Sequence, residues 1–220
     1  LEVAERAAWY GELVERFSGI SEHRDPDGCV AVWTDGGFDP ARHVAGFGIY
    51  YGDGSALNAA EPLASGVPSA PRAELAALTK LLESDPRPLA ARIDCRYVVD
   101  GFNVHRHRNR ARAWLRRPPD AAPIPNDDLW RRVDAVARRR DAAGVVTRVD
   151  WCRGHPRRHH LATGETTERD AHGNDAVDSL ATRGCDRAAC GMAVTPLPPP
   201  AAPPPPLPAQ PSAAPSEKGM

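Results

Sequence analysis

Val30-Ala31-Val32-Trp33-Thr34-Asp35-Gly36-Gly37 constrains the fold of this chain more than any other stretch. Its apolar and β-branched residues specify a short buried strand. A single carboxylate, Asp35, ends the strand, and the Gly-Gly pair predicts a sharp turn with room beside the acid. A carboxylate held at the mouth of a buried strand is partly desolvated, and a partner that neutralises it would offset that cost. Alone the pattern is common among α/β proteins, so its weight depends on what the rest of the chain places beside it.

Strand signals recur at residues 89–94 and 145–152, and between them lie helical patterns. Pro71 suits the first turn of a helix carrying Leu75, Leu78 and Leu82 on one face. Asn126 is a good N-cap for a helix with Leu129, Trp130, Val133 and Val136, released at Gly144. A last helix is expected from Asn174 to about Arg183. Residues 43–51 and 57–64 read as a hairpin around Gly52-Asp53-Gly54, with Gly46 and Gly48 marking close backbone approach. Strands joined by helical crossovers pair in parallel, and the hairpin adds an antiparallel edge. The expected fold class is therefore α/β: a five-stranded mixed sheet, antiparallel hairpin plus parallel strands, with helices on both faces.

Three segments are expected. Residues 1–27 form an N-terminal helix and polar linker, the helix carrying Val3, Ala7, Tyr10, Val14 and Phe17 as one stripe. That helix packs on the main domain or belongs to a preceding one. Residues 28–190 form the main domain. Residues 191–220 are a Pro/Ala-rich tail expected to be disordered or polyproline II, a solubilising segment or a ligand for proline-binding domains. The chain starts at Leu1, which leaves open that it is a fragment.

Five cysteines without framework spacing fit a reducing, intracellular compartment, nucleus or cytoplasm, and no run reaches membrane-spanning length. The net charge of −1 excludes a uniformly basic nucleic-acid coat. The positive charge is local instead. Residues 105–117 carry Arg106, Arg108, Arg110, Arg112, Arg116 and Arg117 and no acid, a footprint for phosphates, with Trp114 placed to stack or pack on a sugar. This stretch reads as a basic continuation of a helix begun at Arg96 and stopped by Pro118-Pro119.

Asp94 ends the second strand as Asp35 ends the first, so right-handed crossovers put both at one sheet edge. Glu74 lies in the first turn of the crossover helix, and Asp178 in the first turns of the last helix. Four carboxylates at one edge repel one another, and hard divalent cations relieve that repulsion. Two ions about 4 Å apart would clamp the attacking and leaving oxygens of a phosphodiester displacement.

Local motifs then carry a resemblance. Trp33-Thr34-Asp35-Gly36-Gly37, Arg72-Ala73-Glu74-Leu75, Ile93-Asp94-Cys95-Arg96, Asn126-Asp127-Asp128-Leu129-Trp130, Trp151-Cys152-Arg153-Gly154-His155 and Asn174-Asp175-Ala176-Val177-Asp178 stand in the order found in type 1 ribonuclease H domains, which residues 29–187 resemble. The resemblance implies a metal-dependent endonuclease that cuts the RNA strand of RNA–DNA hybrids, leaving 5′-phosphate and 3′-hydroxyl ends. It assigns two Mg2+ ions, or Mn2+ in their place, to Asp35, Glu74, Asp94 and Asp178. His155 matches a loop histidine for proton transfer or product release. Arg72 and Asn174 join the arginine segment as expected nucleic-acid contacts, and the oligomeric state is left open. Pro71 and Cys95 depart from the family pattern, as does Phe38-Asp39-Pro40-Ala41-Arg42, and these altered contact positions bear on hybrid recognition. The alternatives are a catalytically silent hybrid- or duplex-binding module and a retroelement-derived domain of the same kind.

Overall fold

The computed structural model describes residues 2–192, with side-chain surroundings from residue 4 onward, so the expectations for the tail beyond residue 192 and for Val3 lie outside the described residues. Chain order is α1 (Glu2–Phe17), β1 (His23–Arg24), β2 (Val30–Asp39), β3 (Val44–Tyr50), β4 (Ala59–Pro62), α2 (Ala70–Ser84), β5 (Leu89–Ile93), α3 (Arg96–Asp100), a π-helical turn (Gly101–His105), α4 (Arg106–Ala111), α5 (Asp127–Ala142), β6 (Thr147–Trp151), α6 (His159–Ala162) and α7 (Glu168–Ala189). The sheet order is β4-β3-β2-β5-β6, with the short β1 paired to the start of β2. Pairs β2–β5 and β5–β6 are parallel, whereas β2–β3 and β3–β4 are antiparallel. This is the expected mixed sheet, with a sixth, two-residue strand added.

The strand period of two divides the core. Val30 and Val32 of β2 face α2, α3 and α5, where Leu75, Leu78, Leu81, Val98, Trp130 and Val133 fill one layer. Ala31 and Trp33 face α7 and pack on Val177 and Leu180. By the same alternation Asp35 and Gly37 stand on the α7 side of β2, and Gly36 on the α2 side.

Several expectations need correction. No turn occurs at Gly36-Gly37: β2 runs through both glycines to Asp39, pairing Gly36 with Phe47 and Gly37 with Gly46. The chain reverses afterwards, where Asp39 Oδ1 accepts the backbone N–H groups of Ala41 and Arg42. The glycines serve packing instead. A Cβ on Gly36 would lie 2.1 Å from the backbone nitrogen of Glu74. The expected close approach at Gly46 is real, since a Cβ there would lie 2.1 Å from the Gly184 carbonyl carbon of α7.

The last helix starts six residues earlier than expected. Thr167 caps it, its side chain accepting the Asp170 N–H. Gly173, expected just ahead of this helix, lies inside it, where the Trp33 ring occupies the space that a side chain would need. The N-terminal stripe is also shifted. Helix α1 buries Trp9, Tyr10 and Leu13 against Ala171 of α7, with Phe17 beside them, and leaves Val14 exposed.

The polar linker is not featureless. Asp25 within it is buried and receives Arg92, Arg148 and Arg169. Asn126 occupies the N-cap position of α5, but its side chain does not cap; its oxygen accepts Arg72 Nη1 at 3.2 Å and its amide donates to the Tyr97 hydroxyl. The basic helix is not continuous to Pro118 either. It breaks into a π-helical turn and α4, and the chain then bends at Ala113 and Trp114, both at positive φ.

Candidate active site

Close packing of α2 on β2 builds the site. With no side chain at Gly36, the backbone of Glu74 lies against the strand one residue after Asp35. Parallel pairing of β2 with β5 sets Thr34 opposite Ile93, so Asp35 and Asp94 follow their strands side by side. One carboxylate oxygen from each of Asp35, Glu74 and Asp94 lies within 4.8 Å of the others. The backbone of Asp94 is held by Trp151 of β6, whose Nε1–H donates to the Asp94 carbonyl at 3.0 Å.

Crowding of the acids shows in their proton affinities. Burial, then the charges of Asp94 and Asp178, push the Asp35 carboxyl up to about 6. Burial and the neighbouring Asp35 and Asp94 hold Glu74 well above the usual carboxylate range. Asp94 is raised mainly by burial, opposed by a hydrogen bond from Asn174. One oxygen of Glu74, Oε2, is buried without a hydrogen-bond partner. Three convergent carboxylates with an orphaned buried oxygen are a donor set that hard divalent cations satisfy.

Asp178 stands apart from this cluster. It lies about three turns into α7, lining a groove with His155 and Asp175. Its charge still reaches Asp35 and Asp94. His155 is exposed on the loop after β6, at φ 44°, and its backbone N–H donates to Asn174 Oδ1 at 2.9 Å.

The expected nucleic-acid contacts divide. Trp114 is 4% exposed and belongs to the main core, so it cannot stack on a sugar. Arg106 is 6% exposed, with its guanidinium over Phe102 and its charge near Asp134 and Asp141. Arg110 pairs with Asp134 and Arg116 with Asp120. Arg108, Arg112 and Arg117 remain exposed and outside any ion pair among the described residues. Arg72 is an internal brace: it grips Asp128 with both terminal nitrogens and donates Nε to Ser65 O. Asn174 is 4% exposed and links the His155 loop to Asp94 rather than facing solvent. Sequence reading missed Arg6 and Tyr10 of α1, which reach the same groove; only the apolar period around Tyr10 hinted that this helix docks.

Comparison with known proteins agrees with this architecture. The family described as RNase H matches residues 27–186. Ribonuclease H of Aromatoleum aromaticum is 35% identical over 117 residues, 52% of this chain and 63% of that protein. Ribonuclease H of Nitrosospira multiformis is 30% identical over 169 residues, 74% of this chain and 93% of that protein. Among solved structures, the solution structure of the PFV RNase H domain superimposes with a TM-score of 0.52 at 19% identity, covering 71% of this chain and 93% of that one, a likeness of fold. With the family match spanning most of the chain and the Nitrosospira protein aligned over nearly its whole length, this chain belongs to the ribonuclease H family.

Proposed function

We propose that the chain is a metal-dependent endoribonuclease that hydrolyses the RNA strand of RNA–DNA hybrids. The convergence of Asp35, Glu74 and Asp94 within 4.8 Å is the observation that carries this reading. The relatives named Ribonuclease H support it. Asp35, Glu74 and Asp94 would hold divalent metal, Mg2+ or Mn2+, with Asp178 completing the set for a second ion from across the groove. Bound there, such ions supply positive charge for the reacting phosphate and a more acidic water.

The protein's own groups do the rest. Asn174 fixes the direction of Asp94 and the height of the His155 loop. His155, exposed at the groove edge, exchanges a proton with the leaving oxygen. Arg108, Arg112 and Arg117 offer fork-shaped donors to backbone phosphates. Recognition then rests on charge and shape more than on sequence.

The test is cleavage of a hybrid labelled on its RNA strand. Mg2+ or Mn2+ should give RNA fragments with 5′-phosphate and 3′-hydroxyl ends, chelator should stop the reaction, and Asp94→Asn should abolish it with the fold intact. Absence of cutting with either metal would remove the hydrolase reading and leave a hybrid-binding module.

A further inference from the structure

Helix α1 lies outside the stretch matched by the family, yet it walls the groove that opens on Asp178. That groove has a volume of about 540 Å3 and is lined by Arg6 and Tyr10 of α1, by His155 and Arg157, and by Asp175 and Asp178 of α7. A second groove of about 450 Å3 runs on past Trp9 and Glu12 and shares Arg6 and Arg157 with the first. The two meet at Arg6 and Arg157 and follow α1 away from Asp178.

Arg6 is held in that path by packing. Its guanidinium carbon sits 5.0 Å from the centroid of the Tyr10 ring. Tyr10 is itself buried, and its hydroxyl donates to the carbonyl of Pro156, the residue after His155, at 3.1 Å. The helix is anchored on α7 through Trp9, Tyr10, Leu13 and Ala171. The ion pairing of Arg6 is loose: its terminal nitrogen lies 4.0 Å from Asp175, and its Nε is buried without a hydrogen-bond partner among the described residues. A guanidinium pre-oriented over the Tyr10 ring, at the wall of an open groove beside Asp178, matches a phosphate in charge.

We propose that Arg6 is a substrate-binding residue that holds a backbone phosphate of the strand being cut, next to the scissile linkage. The proposal rests on the hybrid-ribonuclease reading for the identity of the strand, and it makes α1 part of the binding site. Tyr10 positions Arg6 and ties it to the loop that carries His155.

Hybrid binding measured by fluorescence anisotropy over a salt series tests this. The full chain carries Asp94→Asn to prevent cutting, with Arg6 kept, changed to Gln or changed to Lys. KM and kcat are read separately in chains that keep Asp94. Arg6→Gln should weaken Kd and raise KM by roughly three- to tenfold, lower the salt slope by about one, and leave kcat nearly unchanged. Arg6→Lys should recover most of the loss and the slope, because the charge is retained. An unchanged Kd and slope in Arg6→Gln would overturn the proposal. So would an Arg6→Lys chain as weak as Arg6→Gln, since loss of helix packing rather than charge would then explain both. A chain that cuts nothing but binds hybrid with this Arg6 dependence keeps the subsite and refutes the hydrolase reading; a chain with Arg6 intact that binds no hybrid refutes both.

Discussion

Asn174 Oδ1 accepts the backbone N–H of His155 at 2.9 Å, so a helix residue sets the height of a loop residue at the site. The same side chain donates to Asp94. One buried amide therefore couples the metal-binding edge of the sheet to the exposed histidine. Asn174→Ala should leave the His155 N–H without its partner and cost about 1–3 kcal/mol of stability. Loss of alignment should lower kcat about 10- to 100-fold. Urea unfolding and steady-state kinetics check the two parts.

Gly36→Ala should be more damaging than a surface Gly→Ala change. The new methyl would lie 2.1 Å from backbone of α2, which has no side-chain freedom with which to retreat. Overpacking of this kind costs about 1–3 kcal/mol or more. The shift also moves Glu74 away from Asp35, so divalent-metal affinity should fall together with the urea midpoint.

Stability without metal should depend on pH with a definite sign. The folded-state Asp35 carboxyl is raised to about 6, above its value of 3.8 in an open chain. Between those values the folded chain binds more protons than the unfolded chain, so stability falls as pH rises through the window. Below about pH 4 both states are protonated there and this contribution is constant. Thermal midpoints of the chelated chain should therefore decline from pH 4 to about 6.5, net of other groups, with Asp35→Asn removing part of the slope. Added Mg2+ should raise the midpoint most at the upper end of the range.

Asp25 is a separate anchor. Its carboxylate is buried among Arg92, Arg148 and Arg169, and Arg92 reaches on to Asp150 of β6. Burial alone would push the Asp25 carboxyl up, but the hydrogen bond from Arg169 and the three guanidinium charges hold it lowered. Asp25→Ala should cost about 1.5–3 kcal/mol because it removes charge-assisted hydrogen bonds from arginines that keep Asp150, Asp27 and the Arg24 carbonyl as partners. Calorimetry should show that loss without a change in metal affinity.

The acids and the order of elements were legible in the sequence because each has a local signature. A β-branched strand ending in Asp, a Pro-led helix with an early Glu, and a second short strand running into Asp94 are read within a few residues. Gly46 was legible as a close approach for the same reason. What was missed depends on distant partners. Trp114 and Arg106 looked like surface groups because their acid-free segment gave no sign of Asp134 or the core beneath. Gly173 looked like a loop residue ahead of the last helix because the Trp33 ring it accommodates is far away in the chain. The role of Asn174 needed the loop it holds, and that of Arg6 needed the docking of α1 on α7.

Calorimetric titration of the full chain with Mn2+ tests the central claim most directly. Saturable binding that is lost or weakened at least about tenfold in Asp94→Asn and in Glu74→Gln is the predicted result. Equal binding by the altered and unaltered chains, or no binding by the unaltered one, would contradict the account.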